Sequence, residues 1–308
     1  MLKIGLINYL NAYPFSWPLI RDQKQAENWK TVLARPRELN QLLAQGDLDM
    51  SLVSAFEYLR NREQYILAPG ISLSSKGYVN SVKLVSKVPI EKLQNESIYI
   101  TSASATSISI LKILLGEKNI KAKELINYDC HQGVPKDALA ALTIGDEALT
   151  EDFSAFTHSW DLGAAWRELF QRDIVFALCV IRKDALETYP KEISLLVKKL
   201  QDAPTESFAC EETFAKNCRL AYPEITKPMT YLRNLHFECG EAEISNFNFY
   251  IELCAKHQLI DQVFEAIHNI QKIKFFSTFI SISPRFVLEI LIFIFFFNLT
   301  LLFYWILL

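Results

Sequence analysis

Short apolar runs alternate with amphipathic stretches through most of this chain. Lys3-Ile4-Gly5-Leu6-Ile7 is too short for a buried helix and predicts a strand. Asn8-Tyr9-Leu10-Asn11-Ala12-Tyr13-Pro14 follows, polar and aromatic, with a proline expected to stop regular structure. Residues 29–33 predict a second strand. Residues 35–44 then predict a helix with Pro36 in its first turn, Leu39, Leu42 and Leu43 on one face, and Gly46 past its end. Residues 50–53 read as a strand that turns at Ser54 into a short helix. The chain next leads through Pro69-Gly70 into a small-residue segment at 72–77. Alternation at 81–86 predicts a further strand, and 89–93 a short helix carrying the chain to a second lobe.

Residues 97–101 are again strand-like. They hand over to Ser102-Ala103-Ser104-Ala105-Thr106-Ser107, after which Ile108, Leu111 and Leu114 continue at helical spacing to Gly116. Residues 135–142 approach a loop at Thr143-Ile144-Gly145-Asp146. Residues 161–166 begin another helix with Asp161 expected as its cap, and 174–181 reads as an apolar strand returning to the first lobe. Three closing helices are expected: one between Pro190 and Pro204, one over 205–217 and one over 243–257. Repeated strand–helix handovers with a mid-chain excursion predict an α/β protein of two lobes around a cleft. The expected segments are 1–90 and 183–274 for the first lobe and 91–182 for the second.

The last stretch breaks the pattern. From Phe275 the composition turns abruptly apolar, and 287–308 is nearly all Leu, Ile and Phe, with Glu289 and Asn298 as exceptions. Its length matches the roughly 20 residues that span a bilayer. It reads either as a membrane anchor or as a tail of little function added by an altered reading frame. The N-terminal run, interrupted by Asn8, Asn11 and Pro14, does not read as a signal peptide. A cytoplasmic body is expected, with membrane contact only through 287–308.

Charge and cysteine content narrow the chemistry. With 32 basic and 35 acidic residues the net charge is -3, which does not favour nucleic acid as a partner. The 6 cysteines form no CxxC pair and read as reduced thiols. The histidines lack metal-ligand spacing, and HExxH, GxSxG, GxGxxG and Walker patterns are absent, so no metal or organic cofactor is expected.

Four features remain as candidate chemistry. Asn11, after a strand and Tyr9, presents an amide that can donate and accept; it could equally bond its own turn. Ser104, Thr106 and Ser107, at a strand-to-helix handover, would form an uncharged anion site, where capping alone needs one hydroxyl. Gly145-Asp146 could hold a carboxylate beside a ligand or cap the next helix. The loop from Gly70 to Gly77, with Ser81, allows close backbone approach. These residues describe a binder of a small anion without separating binding from catalysis.

The order of several segments resembles the chorismate dehydratases of the futalosine route to menaquinone. The likeness runs from Tyr9-Leu10-Asn11 and Pro14 through Gly46-Asp47-Leu48-Asp49, Glu57-Tyr58-Leu59, Pro69-Gly70-Ile71 and Gly77 to Ser81. It continues through residues 144–149 and 161–166 to Tyr231-Leu232-Arg233 and Gly240-Glu241-Ala242-Glu243, covering about residues 1 to 270. The opening motif differs from that of the sister enzyme making 1,4-dihydroxy-6-naphthoate. The resemblance implies a type II periplasmic-binding-protein-like fold with a central ligand cleft. It also implies cofactor-free conversion of chorismate to 3-[(1-carboxyvinyl)oxy]benzoate and water. Asn11 and Ser81 would then contact the reacting region. Tyr9, Ser104, Thr106, Ser107, Gly145 and Asp146 would bind substrate, and the enolpyruvyl carboxylate of the substrate would take the proton. The alternative is a non-catalytic solute-binding protein for a small carboxylate, or, more remotely, a membrane sensor anchored by the tail.

Overall fold

A computed structural model describes residues 1–22 and 29–261. The polar loop expected over 23–27 and the apolar extension from 275, including 287–308, lie outside the described residues. Among the described residues no helix is long and apolar enough to cross a membrane.

The first half of the chain builds β1 (Leu2–Ile7), α1 (Tyr13–Arg21), β2 (Trp29–Ala34), α2 (Pro36–Gln45), β3 (Met50–Ser54), α3 (Ala55–Asn61), β4 (Tyr65–Ser75), β5 (Val82–Ser86), β6 (Ser97–Thr101), α4 (Ala105–Glu117), β7 (Glu124–Tyr128), β8 (Ala140–Ile144) and α5 (Gly145–Thr150). The second half adds β9 (His158–Asp161), α6 (Leu162–Phe170), β10 (Ile174–Arg182), α7 (Lys183–Thr188), α8 (Pro190–Ala209), α9 (Glu211–Ala221), α10 (Pro228–Leu232), β11 (Leu235–His236) and α11 (Glu241–Lys256).

Two sheets result. One has the strand order β11-β4-β10-β3-β1-β2, the other β7-β6-β8-β5-β9. In the first, β1 runs parallel to β2 and β3, while β10 enters antiparallel between β3 and β4. In the second, β6 is parallel to β7 and β8, and β5 is antiparallel to β8 and β9. The chain crosses between sheets over 76–81 and again over 171–173. Thus β5 belongs to the second sheet although it precedes the expected boundary at 90. β10 belongs to the first sheet, as expected of 174–181, so the return falls before Ile174 and not at 182. Backbone pairing on both edges of each strand fixes these memberships.

Local signals behaved unevenly. Gly46 ends α2 in the left-handed conformation, as its position predicts. Pro14 starts a helix instead of stopping one, because a proline in the first turn gives up an N–H that has no intrahelical partner anyway. Gly70 does not end a strand: β4 runs through it with a φ of 72°, shifting register against β10. Pro204 does not end a helix either. It is buried inside α8, which packs on α1 and β4, and the break falls at Cys210. Tertiary burial outweighs the single hydrogen bond lost at an interior proline.

The core between the first sheet and its helices is aromatic. Phe214 stacks on Tyr13 with centroids 5.7 Å apart and meets Trp17 at 5.2 Å. Trp166, 1% exposed, meets Phe170 of its own helix and joins α6 to α11 through Phe249 and Tyr250.

Candidate active site

The carboxyl ends of β1, β3, β6 and β8 open onto one cleft, with Ile7, Ser54, Ser104 and Ile144 in its wall. Ligands of α/β sheets sit outside the carboxyl ends of strands, where backbone N–H groups of the following helices point outward. The cleft encloses about 550 Å³ including its mouth, within the range of small-molecule sites. Every residue lining it is uncharged. The N-termini of α2 and α4, ten and thirteen residues long, reach it through Pro36 and Ser104 and bring the positive ends of their dipoles to it.

Of the eight expected site residues, six line this cleft: Tyr9, Asn11, Ser81, Ser104, Ser107 and Gly145. Asn11 sits in a single 3-10 turn, Leu10–Ala12, closed by the Ala12 N–H donating to the Tyr9 carbonyl at 3.1 Å. Its Oδ1 and the Tyr9 hydroxyl are buried and make no hydrogen bond within the protein. Two unpaired polar atoms in an otherwise paired wall are where a ligand's polar groups would belong. Ser104 caps α4, accepting from the Ser107 N–H at 3.3 Å and the Ser107 hydroxyl at 3.1 Å. Gly145 adopts a φ of 65°, and a Cβ there would lie 3.1 Å from the Tyr9 ring. Its N–H donates to the Ser81 carbonyl at 2.8 Å, tying the start of α5 to the first crossing segment.

Thr106 and Asp146 are placed differently. Thr106 is fully buried outside the cleft wall, its Oγ1 accepting from the Phe56 N–H at 2.9 Å. It joins α4 to α3. Asp146 also lies outside the wall. Its carboxylate accepts from the Leu10 N–H at 3.0 and 3.3 Å and so braces the Asn11 turn from behind. Burial pushes its pKa up to about 7, with Glu147 and Glu224 adding to the rise, against the Leu10 N–H and Arg35. Arg35 pairs with Glu147 at 3.1 Å and sits 6.0 Å from the Tyr9 ring centroid.

Asp146 gives a pH prediction. A carboxyl with a folded pKa near 7 and an ordinary value of 3.8 contributes its full stability below pH ~4 and loses it as pH rises to ~7. The slope reaches at most about 1.4 kcal/mol per pH unit in that window. Asp146→Asn keeps an acceptor for Leu10 and removes the titration. Urea unfolding between pH 4 and 8 should therefore show a flatter stability profile than the wild type, and identical slopes would contradict the assignment.

Tyr231 was not singled out by its chemistry in the sequence. It lines the cleft from α10, and its hydroxyl donates to the Ser81 Oγ at 2.8 Å. The Asn11 amide is a further polar neighbour of that phenol. Among the described residues no group of three or more His, Cys, Asp or Glu could hold a metal ion.

Comparison with known proteins bears on the chemistry. A family model described as menaquinone biosynthesis matches residues 2–256. A chorismate dehydratase from Thermus thermophilus is 36% identical over 150 residues, covering 47% of this chain and 51% of that protein. The match thus spans about half the length of that relative. Among solved structures, the periplasmic aliphatic sulphonate binding protein of Escherichia coli superposes with a TM-score of 0.62 at 12% identity, over 87% of this chain and 96% of that one. A protein from Archaeoglobus fulgidus gives 0.57 at 16%, over 84% and 98%. At such identities these two show the fold alone, a two-lobed periplasmic-binding-protein-like architecture.

Proposed function

The chain belongs to the menaquinone-biosynthesis family, and from that membership we propose that its cleft dehydrates chorismate to 3-[(1-carboxyvinyl)oxy]benzoate and water, the first step of the futalosine route. One observation carries the reading furthest. The cleft pairs two unsatisfied polar atoms, Asn11 Oδ1 and the Tyr9 hydroxyl, with a serine hydroxyl in a wall that holds no charged side chain.

The reaction removes a ring hydroxyl and the hydrogen on the neighbouring ring carbon, leaving an aromatic ring and one water. Aromatisation supplies much of the driving force. The protein's task is to hold a dianion in one orientation and ease the departure of the hydroxyl. Asn11 Oδ1 accepts the hydrogen of that hydroxyl, and Ser81 donates to its oxygen. The amides and hydroxyls at the start of α4, around Ser104 and Ser107, take a carboxylate without placing a cation in the cleft. No cleft residue is a carboxylate or imidazole. The ring proton therefore passes to the enolpyruvyl carboxylate of the substrate itself, which hands it to the departing hydroxyl so that water leaves and the carboxylate is restored; the charge of that carboxylate argues against Asp146 as a base. The protein needs no metal or organic cofactor for these steps and works in the cytoplasm.

Incubating purified protein with chorismate tests the reading. Aromatic product should accumulate to many equivalents per protein, and chelator treatment should leave the rate unchanged. Depletion of chorismate that stops at one equivalent would instead support the solute-binding alternative.

A further inference from the structure

We propose that Tyr231 is a positioning residue that fixes the direction of the Ser81 hydroxyl, so that the single Ser81 proton is presented to the substrate oxygen in the cleft. The proposal rests on the dehydratase reading of the cleft and assigns to it a residue 150 positions away from Ser81 in sequence.

A serine hydroxyl carries one proton and two acceptor sites, and a free one rotates. Ser81 is held at every other point. Its carbonyl accepts from the Gly145 N–H at 2.8 Å. The preceding Val79 and Asn80 amides donate to the Asp161 carboxylate at 3.1 and 2.6 Å. Only the torsion of its hydroxyl remains open, and the Tyr231 O–H occupies one acceptor site at 2.8 Å. Among the described residues the Ser81 proton has no protein acceptor, and the side chain borders the cleft.

The direction of the chain of bonds follows from the groups around the phenol. Tyr231 is 5% exposed, and burial pushes its ionisation far above the ordinary tyrosine value, so it stays a donor. Its proton is not spent on Asn11, because Asn11 Oδ1 has no partner within the protein. The Asn11 side chain is a second polar neighbour of the phenol. Donation therefore runs from Tyr231 to Ser81 and then into the cleft. Ser81 acts as a hydrogen-bond donor, which is what a departing hydroxyl oxygen requires as negative charge grows on it. The reverse order would make Ser81 an acceptor and leave that charge unopposed.

Tyr231→Phe keeps the ring and deletes the bond. Its kcat on chorismate should fall about ten- to a hundred-fold with KM within about threefold of the wild type, since the lost orientation matters most in the transition state. The sharper test is the double variant. If Tyr231 acts through Ser81, Tyr231→Phe added to Ser81→Ala costs nothing further, whereas independent roles multiply. Wild-type kcat in Tyr231→Phe, or multiplied losses in the double variant, overturns the proposal. Should Tyr231→Phe fail to fold, 3-fluorotyrosine at 231 retains the packing with a stronger O–H donor and should raise kcat; an unchanged kcat overturns it. A wild-type protein inactive on chorismate would sink the dehydratase reading alone. The orientation would then be read by neutron crystallography, where the Ser81 hydroxyl hydrogen should lose its single direction in Tyr231→Phe, and one unchanged direction overturns the proposal.

Discussion

Asn11→Ala is expected to lower chorismate turnover by about two to three orders of magnitude, the loss typical of deleting one preorganised polar contact at a reacting oxygen. The backbone around it is held without its side chain. Ala12 N–H closes the turn onto the Tyr9 carbonyl, and Leu10 N–H is anchored on Asp146. The variant should therefore fold, with a melting temperature close to that of the wild type. What disappears is an acceptor buried without a protein partner and the amide beside the Tyr231 phenol. Steady-state kinetics beside a thermal melt separate the two effects. Full turnover in a folded Asn11→Ala protein would remove Asn11 from the chemistry. Asn11→Asp should fare no better, because it adds a negative charge next to a dianionic substrate and so raises KM.

The second large effect concerns stability. Asp161 ends β9 and caps α6, as its place before the apolar helix in the sequence predicts. The fold gives it a further task. Oδ1 accepts from Ala164 N–H at 2.9 Å and from Val79 N–H at 3.1 Å, while Oδ2 accepts from Asn80 N–H at 2.6 Å. One carboxylate thus holds a helix start and the crossing loop that carries Ser81. Asn80 in that loop has a φ of 63°, and Gly163 packs so closely that a Cβ would fall 2.3 Å from the Gly77 carbonyl oxygen. Asp161→Ala leaves three donors without partners in a tight, largely buried place. At about 1–3 kcal/mol for each unsatisfied group, partly relieved by local relaxation, a total near 3–5 kcal/mol is expected. That corresponds to a melting temperature lower by about 10 °C. Turnover should fall as well, because the segment leading to Ser81 loosens. Asp161→Asn, which keeps one acceptor oxygen, should lie between the two. A melting temperature unchanged in Asp161→Ala would contradict the assigned role.

Much of this site was readable one element at a time. The strand that ends at Ile7, the helix start at Ser104, the glycine past α2 and the cap at Asp161 each depend on residues within a few positions of one another. Hydrophobic period, capping chemistry and backbone freedom act over that range, and a linear chain displays them. The hydroxyl run at 104–107 shows the limit. Ser104 and Ser107 are three apart and share a helix face, which turns to the cleft. Thr106, about 100° further round the helix, meets the Phe56 amide instead. The run predicted a cluster of hydroxyls, but which face looks into the cleft depends on where α3 packs.

The remaining contacts are long-range and have no local signature. Asp146 reaches Leu10 across 136 residues, and Tyr231 reaches Ser81 across 150. A strand's sequence does not state which sheet will accept it, so β5 was assigned by backbone pairing. The segment from Lys3 to Pro14 shows both sides. By itself the sequence determined a strand delivering Tyr9 and Asn11 to a fixed turn. Only the tertiary structure decided that Asp146 braces that turn, that Gly145 fits against Tyr9, and that the Asn11 amide shares the Tyr231 phenol with Ser81. Each is a contact between groups that only the folded chain brings within a few ångströms, where hydrogen bonds and close packing operate.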